Sequence, residues 1–169
     1  MTARHADAGV GNSGRRMLRA LAAGVLALAG CQAAAESRLQ VVVHESAGRR
    51  ELPAEAASTS AIVQAVERII GAADNVLRLA VTPEMLDKVR SADGAVEITF
   101  AEVRTFTPAA LQGREIRARR LMVPLSGELA GPVTTIFVDD GSGYEAGPLR
   151  APVPTEELAR LAQAATPAR

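Results

Sequence analysis

The chain has no tryptophan, and Tyr144, Phe100, Phe106 and Phe137 are its only aromatic residues. A core for these 169 residues must therefore be aliphatic, and Ala, Val, Leu and Ile supply most of the 48% apolar content. So few aromatic platforms weigh against stacking on single-stranded nucleic acid or on sugar rings. Cysteine occurs once, at Cys31, which excludes an intramolecular disulfide. Histidine occurs twice, at His5 and His44. No G-x-S-x-G elbow appears, and no phosphate-cradling glycine motif follows a predicted strand, so nucleotide binding has no support. Long hydrophobic runs are also missing. Leu18–Ala29, apolar except for Arg19, spans roughly 18 Å as a helix, well short of the ~30 Å hydrocarbon core of a bilayer.

Charge of one sign is scarce overall, since 19 basic residues balance 19 acidic ones. The distribution is uneven. Residues 1–30 hold Arg4, Arg15, Arg16 and Arg19 against Asp7, which leaves residues 31–169 at about −3 by formal counting. A mildly acidic domain is a poor polyanion binder, so nucleic acid is not an expected partner.

What is present at the start is specific. A basic stretch, a short apolar stretch and small residues follow one another as in a secretory signal. A twin-arginine signal at Arg15-Arg16 lacks most of its surrounding pattern, and the pair reads as an ordinary basic n-region. Leu28-Ala29-Gly30-Cys31 resembles the lipobox of bacterial lipoproteins, and only this N-terminal segment carries the resemblance. The resemblance implies cleavage between Gly30 and Cys31, diacylglyceryl transfer to the Cys31 sulfur and acylation of the new amine. Gln32 after the cysteine is similar to the pattern of lipoproteins destined for the outer membrane rather than retained at the inner one. The implied location is the cell envelope, at the periplasmic face of the outer membrane, with the membrane as partner through lipid on Cys31.

The expected organisation is a cleaved signal over residues 1–30, a lipidated tether over 31–37 and a single globular domain over 38–169. Within that domain, Arg38–Ser46 with its three consecutive valines reads as a covered strand, followed by a turn through "AGRREL". Ser58–Ser60 offer N-caps to a helix with Ile62, Val66, Ile69 and Ala73 as its stripe. Asn75–Val81 alternates like a half-buried strand, and Thr82 with Pro83 opens a short helix. A strand over 95–106 slips phase near Ala101–Glu102, which predicts a bulge. Another strand ends near Pro124. A hairpin turns at Asp140–Gly143, and a final helix starts after Thr155. The fold class is α+β: a mixed, mainly antiparallel sheet of about five or six strands with two to three helices packed on one face.

Chemistry is thinly signalled, and no catalytic residue, cofactor or metal is assigned. His44-Glu45-Ser46 suggests a hydrolase, but adjacent strand residues point to opposite faces, so Glu45 does not orient His44. Asp139-Asp140-Gly-Ser-Gly-Tyr-Glu145 faintly resembles a calcium loop without its D-x-D-x-D-G spacing, and a tight turn explains the same residues. With Cys31 consumed and one histidine left, ligands for zinc or iron are in short supply. The dense basic stretch Arg114, Arg117, Arg119 and Arg120 is the candidate binding surface, with an anionic lipid headgroup or an acidic envelope protein as the partner it would fit. The reading that cross-strand pairing favours is a salt-bridged sheet face using Glu97 and Glu102. The expected role is a non-enzymatic accessory, adaptor or ligand-binding module. A small hydrolase using His44, or an inhibitor-like protein presenting 139–145, are the alternatives.

Overall fold

The computed structural model describes residues 39–145 and 147–165. The signal segment, the lipobox and the tether, with Gly30 and Cys31, lie outside these residues. The elements run β1 (Gln40–Glu45), β2 (Gly48–Leu52), α1 (Ala57–Gly71), β3 (Asn75–Val76) and α2 (Pro83–Lys88), the last continuing into a π-helical turn over Val89–Asp93. Then follow β4 (Ala95–Phe106), a 3-10 turn (Ala109–Leu111), β5 (Ile116–Pro124), β6 (Thr134–Asp139), β7 (Leu149–Ala151) and α3 (Glu156–Ala164). The strands form one seven-stranded sheet in the order β2-β1-β4-β5-β6-β7-β3, with every neighbouring pair antiparallel. The architecture is α+β.

The two longer helices cover one face. In α1, Ile62, Ala65, Val66, Ile69 and Ile70 are buried, the i, i+3, i+4, i+7 stripe of an amphipathic helix. They pack with Val41 and Val43 of β1, Val96 and Ile98 of β4, Leu121 and Val123 of β5, Ile136 of β6 and Leu158 of α3. The residues between these in the strands point the other way. There Ala95, Met122, Phe137 and Tyr144 form a second cluster with Val89, and Met85 and Leu86 of α2 pack against it. Leu121–Pro124 and Ile136–Val138 are consequently buried on both sides, which is why each reads as a short unbroken apolar run.

Three segments differ from the sequence expectations. "GRREL" is not a turn but the edge strand β2, joined to β1 through Ser46 and Ala47, with Gly48 at φ +132° where a side chain would be strained. Its polar sequence suits an edge and hides the strand from a hydrophobic-pattern reading. In Asn75–Val81 only Asn75 and Val76 pair, because β7 offers three residues. The chain then leaves the sheet, and Val81 joins the second cluster. The serines expected to cap α1 lie inside it. The helix starts without a side-chain cap, and Thr59 Oγ1 donates 2.7 Å to the Pro53 carbonyl instead. Thr155 does precede α3, but its hydroxyl accepts the Gly131 N–H at 2.9 Å rather than capping the helix.

The bulge falls where the phase slip predicts it, with the β4–β5 register shifting between Thr99 and Arg104. On β5 the core-facing set changes from Ile116 and Ala118 to Leu121 and Val123 across Arg119-Arg120. That shift brings Arg117 and Arg120 to the same side of the sheet, and this reverses the grouping a regular strand would give.

Candidate functional site

The face opposite α1 and α3 carries a polar cluster centred on Glu97. Its carboxylate is bonded from three elements, and a fourth stacks on one of its partners. His44 on the neighbouring strand places Nε2 2.9 Å from Oε2. Tyr144, in the loop after β6, donates its hydroxyl to Oε1 at 2.8 Å. Arg90, in the π-helical turn, donates to Oε1 at 3.2 Å. Arg120 on β5 lies over the Tyr144 ring at 5.3 Å, and Arg90 lies over the same ring at 5.9 Å. Both are within cation–π range.

Burial would raise the Glu97 pKa, but the hydrogen bonds from His44, Tyr144 and Arg90, with the charge of Arg90, outweigh it and hold the group at about 2. An ionised carboxylate has no proton to offer, so His44 donates through Nε2–H. Burial, then the charge of Glu97 and the hydrogen bond to it, push the Tyr144 phenol well above its ordinary value. The tyrosine stays protonated and serves as a donor.

Asp139 extends the cluster. Its residue is 0% exposed, and Arg120 Nε donates to Oδ2 at 2.6 Å. Oδ1 accepts the backbone N–H groups of Gly141 at 2.7 Å and Gly143 at 2.8 Å. Burial opposes ionisation of Asp139, yet these two N–H groups and Arg120 lower its pKa. Asp140 in turn accepts from Ser142 through both its N–H and its hydroxyl. Asp139 and Asp140 are thus turn-forming acceptors, and the loop directs Tyr144 inward. Asp139→Ala is expected to destabilise the domain by about 2–4 kcal/mol in urea unfolding, because it orphans two N–H groups and one guanidinium. Asp139→Asn, which keeps the acceptor, should cost less.

Chemically the cluster is closed. Both oxygens of Glu97 are occupied, and its low pKa makes it a poor proton carrier near neutrality. Ser46 is exposed in the β1–β2 turn, and no hydrogen bond joins it to His44 among the described residues. Every buried side-chain polar atom among the described residues has a partner. No group of three or more His, Cys, Asp and Glu residues suited to a metal is found among them. The cluster instead ties α2's extension, β1, β4, β5 and the 140–145 loop together by charge.

This predicts acid sensitivity. A carboxyl whose folded pKa is lowered from 4.5 to about 2 stabilises the fold fully above 4.5, and that stability is lost as pH falls towards 2. The contribution is about 3 kcal/mol. Urea midpoints measured between pH 6 and pH 2 should fall through this window, and Glu97→Gln should flatten the fall.

The basic stretch is dispersed. Arg120 pairs with Asp139 and Arg119 donates to the Ala101 carbonyl. Arg120 bonds Asp139 rather than Glu97, whose charge it feels only at longer range. Arg114 and Arg117 are exposed, in the β4–β5 turn and at the start of β5. They line a groove of about 270 Å³ floored by Val76, Ile116, Val138 and Leu149, with Glu115 and Asp140 also at its wall.

Sequence reasoning missed Glu97 as an organising group, together with Arg90 and Tyr144. One signal was available: Glu97 alternates against the Val96–Ile98 core stripe, so it shares a face with Met122 and Phe137 from the doubly covered runs. No family model matches the chain, and neither the curated proteins nor the solved structures compared with it show a significant match.

Proposed function

We propose that this chain is the precursor of a lipid-anchored cell-envelope domain, held at the periplasmic face of the outer membrane through Cys31, which acts by binding rather than by catalysis. The observation that carries the anchoring is the Leu28-Ala29-Gly30-Cys31 motif behind a basic, short-apolar leader, with no second cysteine in the chain. Several acyl chains on one residue give stable attachment, since each buried methylene contributes ~0.8 kcal/mol.

The binding role is supported by the closed chemistry around Glu97. The one histidine of the domain donates to a carboxylate already engaged by Tyr144 and Arg90. An adaptor or ligand-binding module needs no free base. Incubation of the purified lipoprotein with ester, amide and peptidoglycan-fragment substrates tests this. The reading expects no turnover that His44→Gln removes. Turnover abolished by His44→Gln in a normally folded protein would establish the hydrolase instead.

A further inference from the structure

The topology sets the start of β1, where the described chain begins, on the side of the sheet from which the β4–β5 hairpin projects. β1 pairs antiparallel with β4, and Gln40, its first residue, lies opposite Thr99. β1 therefore begins at the end of the sheet past which β4 continues beyond Thr99. That direction leads to the β4–β5 turn, which holds Arg114, with Arg117 on the first strand residues after it. From Thr99 the hairpin runs on through Phe106 paired with Ile116, a projection of roughly 15–25 Å at ~3.3 Å per residue. From Cys31 to Gln40 the chain has about nine residues, which span at most ~30 Å. The hairpin projection and the tether are comparable in length, so the tether is long enough for a lipid on Cys31 to lie in the plane of the hairpin tip.

The hairpin arm is basic in sequence, although Asp140 of the loop after β6 lies at the same end. Residues 100–120 hold five arginines and two glutamates, whereas the remainder of residues 31–169 holds ten basic and sixteen acidic groups. Arg104 is engaged by Glu67 and stacks on Phe100, and Arg120 is engaged by Asp139. Arg114 and Arg117 form no side-chain hydrogen bond or ion pair among the described residues, although the charge of Arg117 reaches Asp140. Val103, on the same projecting arm, is one of two large apolar residues exposed among the described residues.

We infer that the β4–β5 hairpin end is the membrane-facing end of the domain, with Arg114 and Arg117 seated on the phosphates of anionic phospholipids in the leaflet that holds the Cys31 lipid. The inference rests on the anchoring reading and adds an orientation and a ligand class to it. Guanidinium groups bind phosphate through paired N–H donors, and a basic group near an anionic leaflet shifts binding by roughly fivefold. The opposite end of the sheet, with the 125–133 loop, then faces away from the membrane and is free for a partner.

Because acylation consumes the native thiol, a single introduced cysteine labels cleanly. The lipoprotein purified from membranes, carrying either Ala110→Cys at the hairpin turn or Glu128→Cys at the other end, is reconstituted in vesicles of phosphatidylcholine with phosphatidylglycerol. A fluorophore at Ala110→Cys should be quenched by spin-labelled lipid and one at Glu128→Cys should not. Arg114→Glu with Arg117→Glu should reduce the quenching at least several-fold while the protein stays anchored, and Asp140→Asn should increase it. Equal quenching at both positions, or quenching unchanged in pure phosphatidylcholine and by charge reversal, overturns the inference. Loss of quenching with inorganic phosphate, beyond that from chloride at equal ionic strength, overturns it in favour of a free phosphate ligand. Intact mass taken on the same samples separates the two readings. Missing acyl mass refutes the anchor, whereas acylated protein without hairpin quenching refutes only the orientation.

Discussion

Glu97→Ala is expected to destabilise the domain by about 3–5 kcal/mol, the cost of removing one partner from a buried charge cluster and leaving the others unpaired. The side chain is 13% exposed and accepts from three side chains. Its removal leaves the Tyr144 hydroxyl and Arg90 facing an emptied, partly apolar site beside Met122 and Phe137. For a domain of this size the melting temperature should fall by about 10–20 °C. Glu97→Gln preserves the shape and one acceptor and should cost less than Glu97→Ala. Pairing Glu97→Ala with Tyr144→Phe should cost clearly less than the sum of the two single changes, because the second removes a group the first has already orphaned. Additive effects, or a single-mutant cost below 1 kcal/mol in urea unfolding, would show that the cluster is a solvated surface contact.

The second large effect concerns location rather than stability. Cys31→Ala in the full chain should leave either an uncleaved precursor or a protein recovered in the soluble fraction, because the anchor is then gone while the fold over residues 39–165 is untouched. Several acyl chains together hold a protein far more firmly than a single chain, which binds only marginally and reversibly. Nearly complete redistribution on membrane fractionation is therefore expected, with an unchanged unfolding curve for any soluble product. Unaltered membrane association of a processed Cys31→Ala protein would remove the lipid from the account.

Much of the fold was legible in the residues. The stripe of α1, the Thr82–Pro83 start of α2 and the bulge after Thr99 each follow from a local pattern with one physical cause. Thr82 accepts the Met85 N–H as its position implies. Where the local pattern and the pairing partner disagreed, the partner won. Asn75–Val81 alternates like a strand, but only Asn75 and Val76 find a neighbour in β7. β2 carries almost no hydrophobic signal, yet it pairs along its full length with β1.

The polar cluster was less legible, for a similar reason. Tyr144 and His44 stand 47 and 53 positions from Glu97 in the chain, and only the sheet order brings them together. The arginines read as one patch because they are close in sequence. The register shift between Thr99 and Arg104 divides them into pairs bound inward, at Arg119 and Arg120, and groups left at the surface, at Arg114 and Arg117.

The central claim is that the working protein begins at a lipidated Cys31. Intact mass of the protein extracted from membranes addresses it directly. The expected spectrum shows loss of residues 1–30 and added mass of diacylglyceryl and amide-linked acyl groups on the N-terminal cysteine. A processed chain with an unmodified N-terminus, or one that retains residues 1–30 with a free Cys31 thiol, would contradict it.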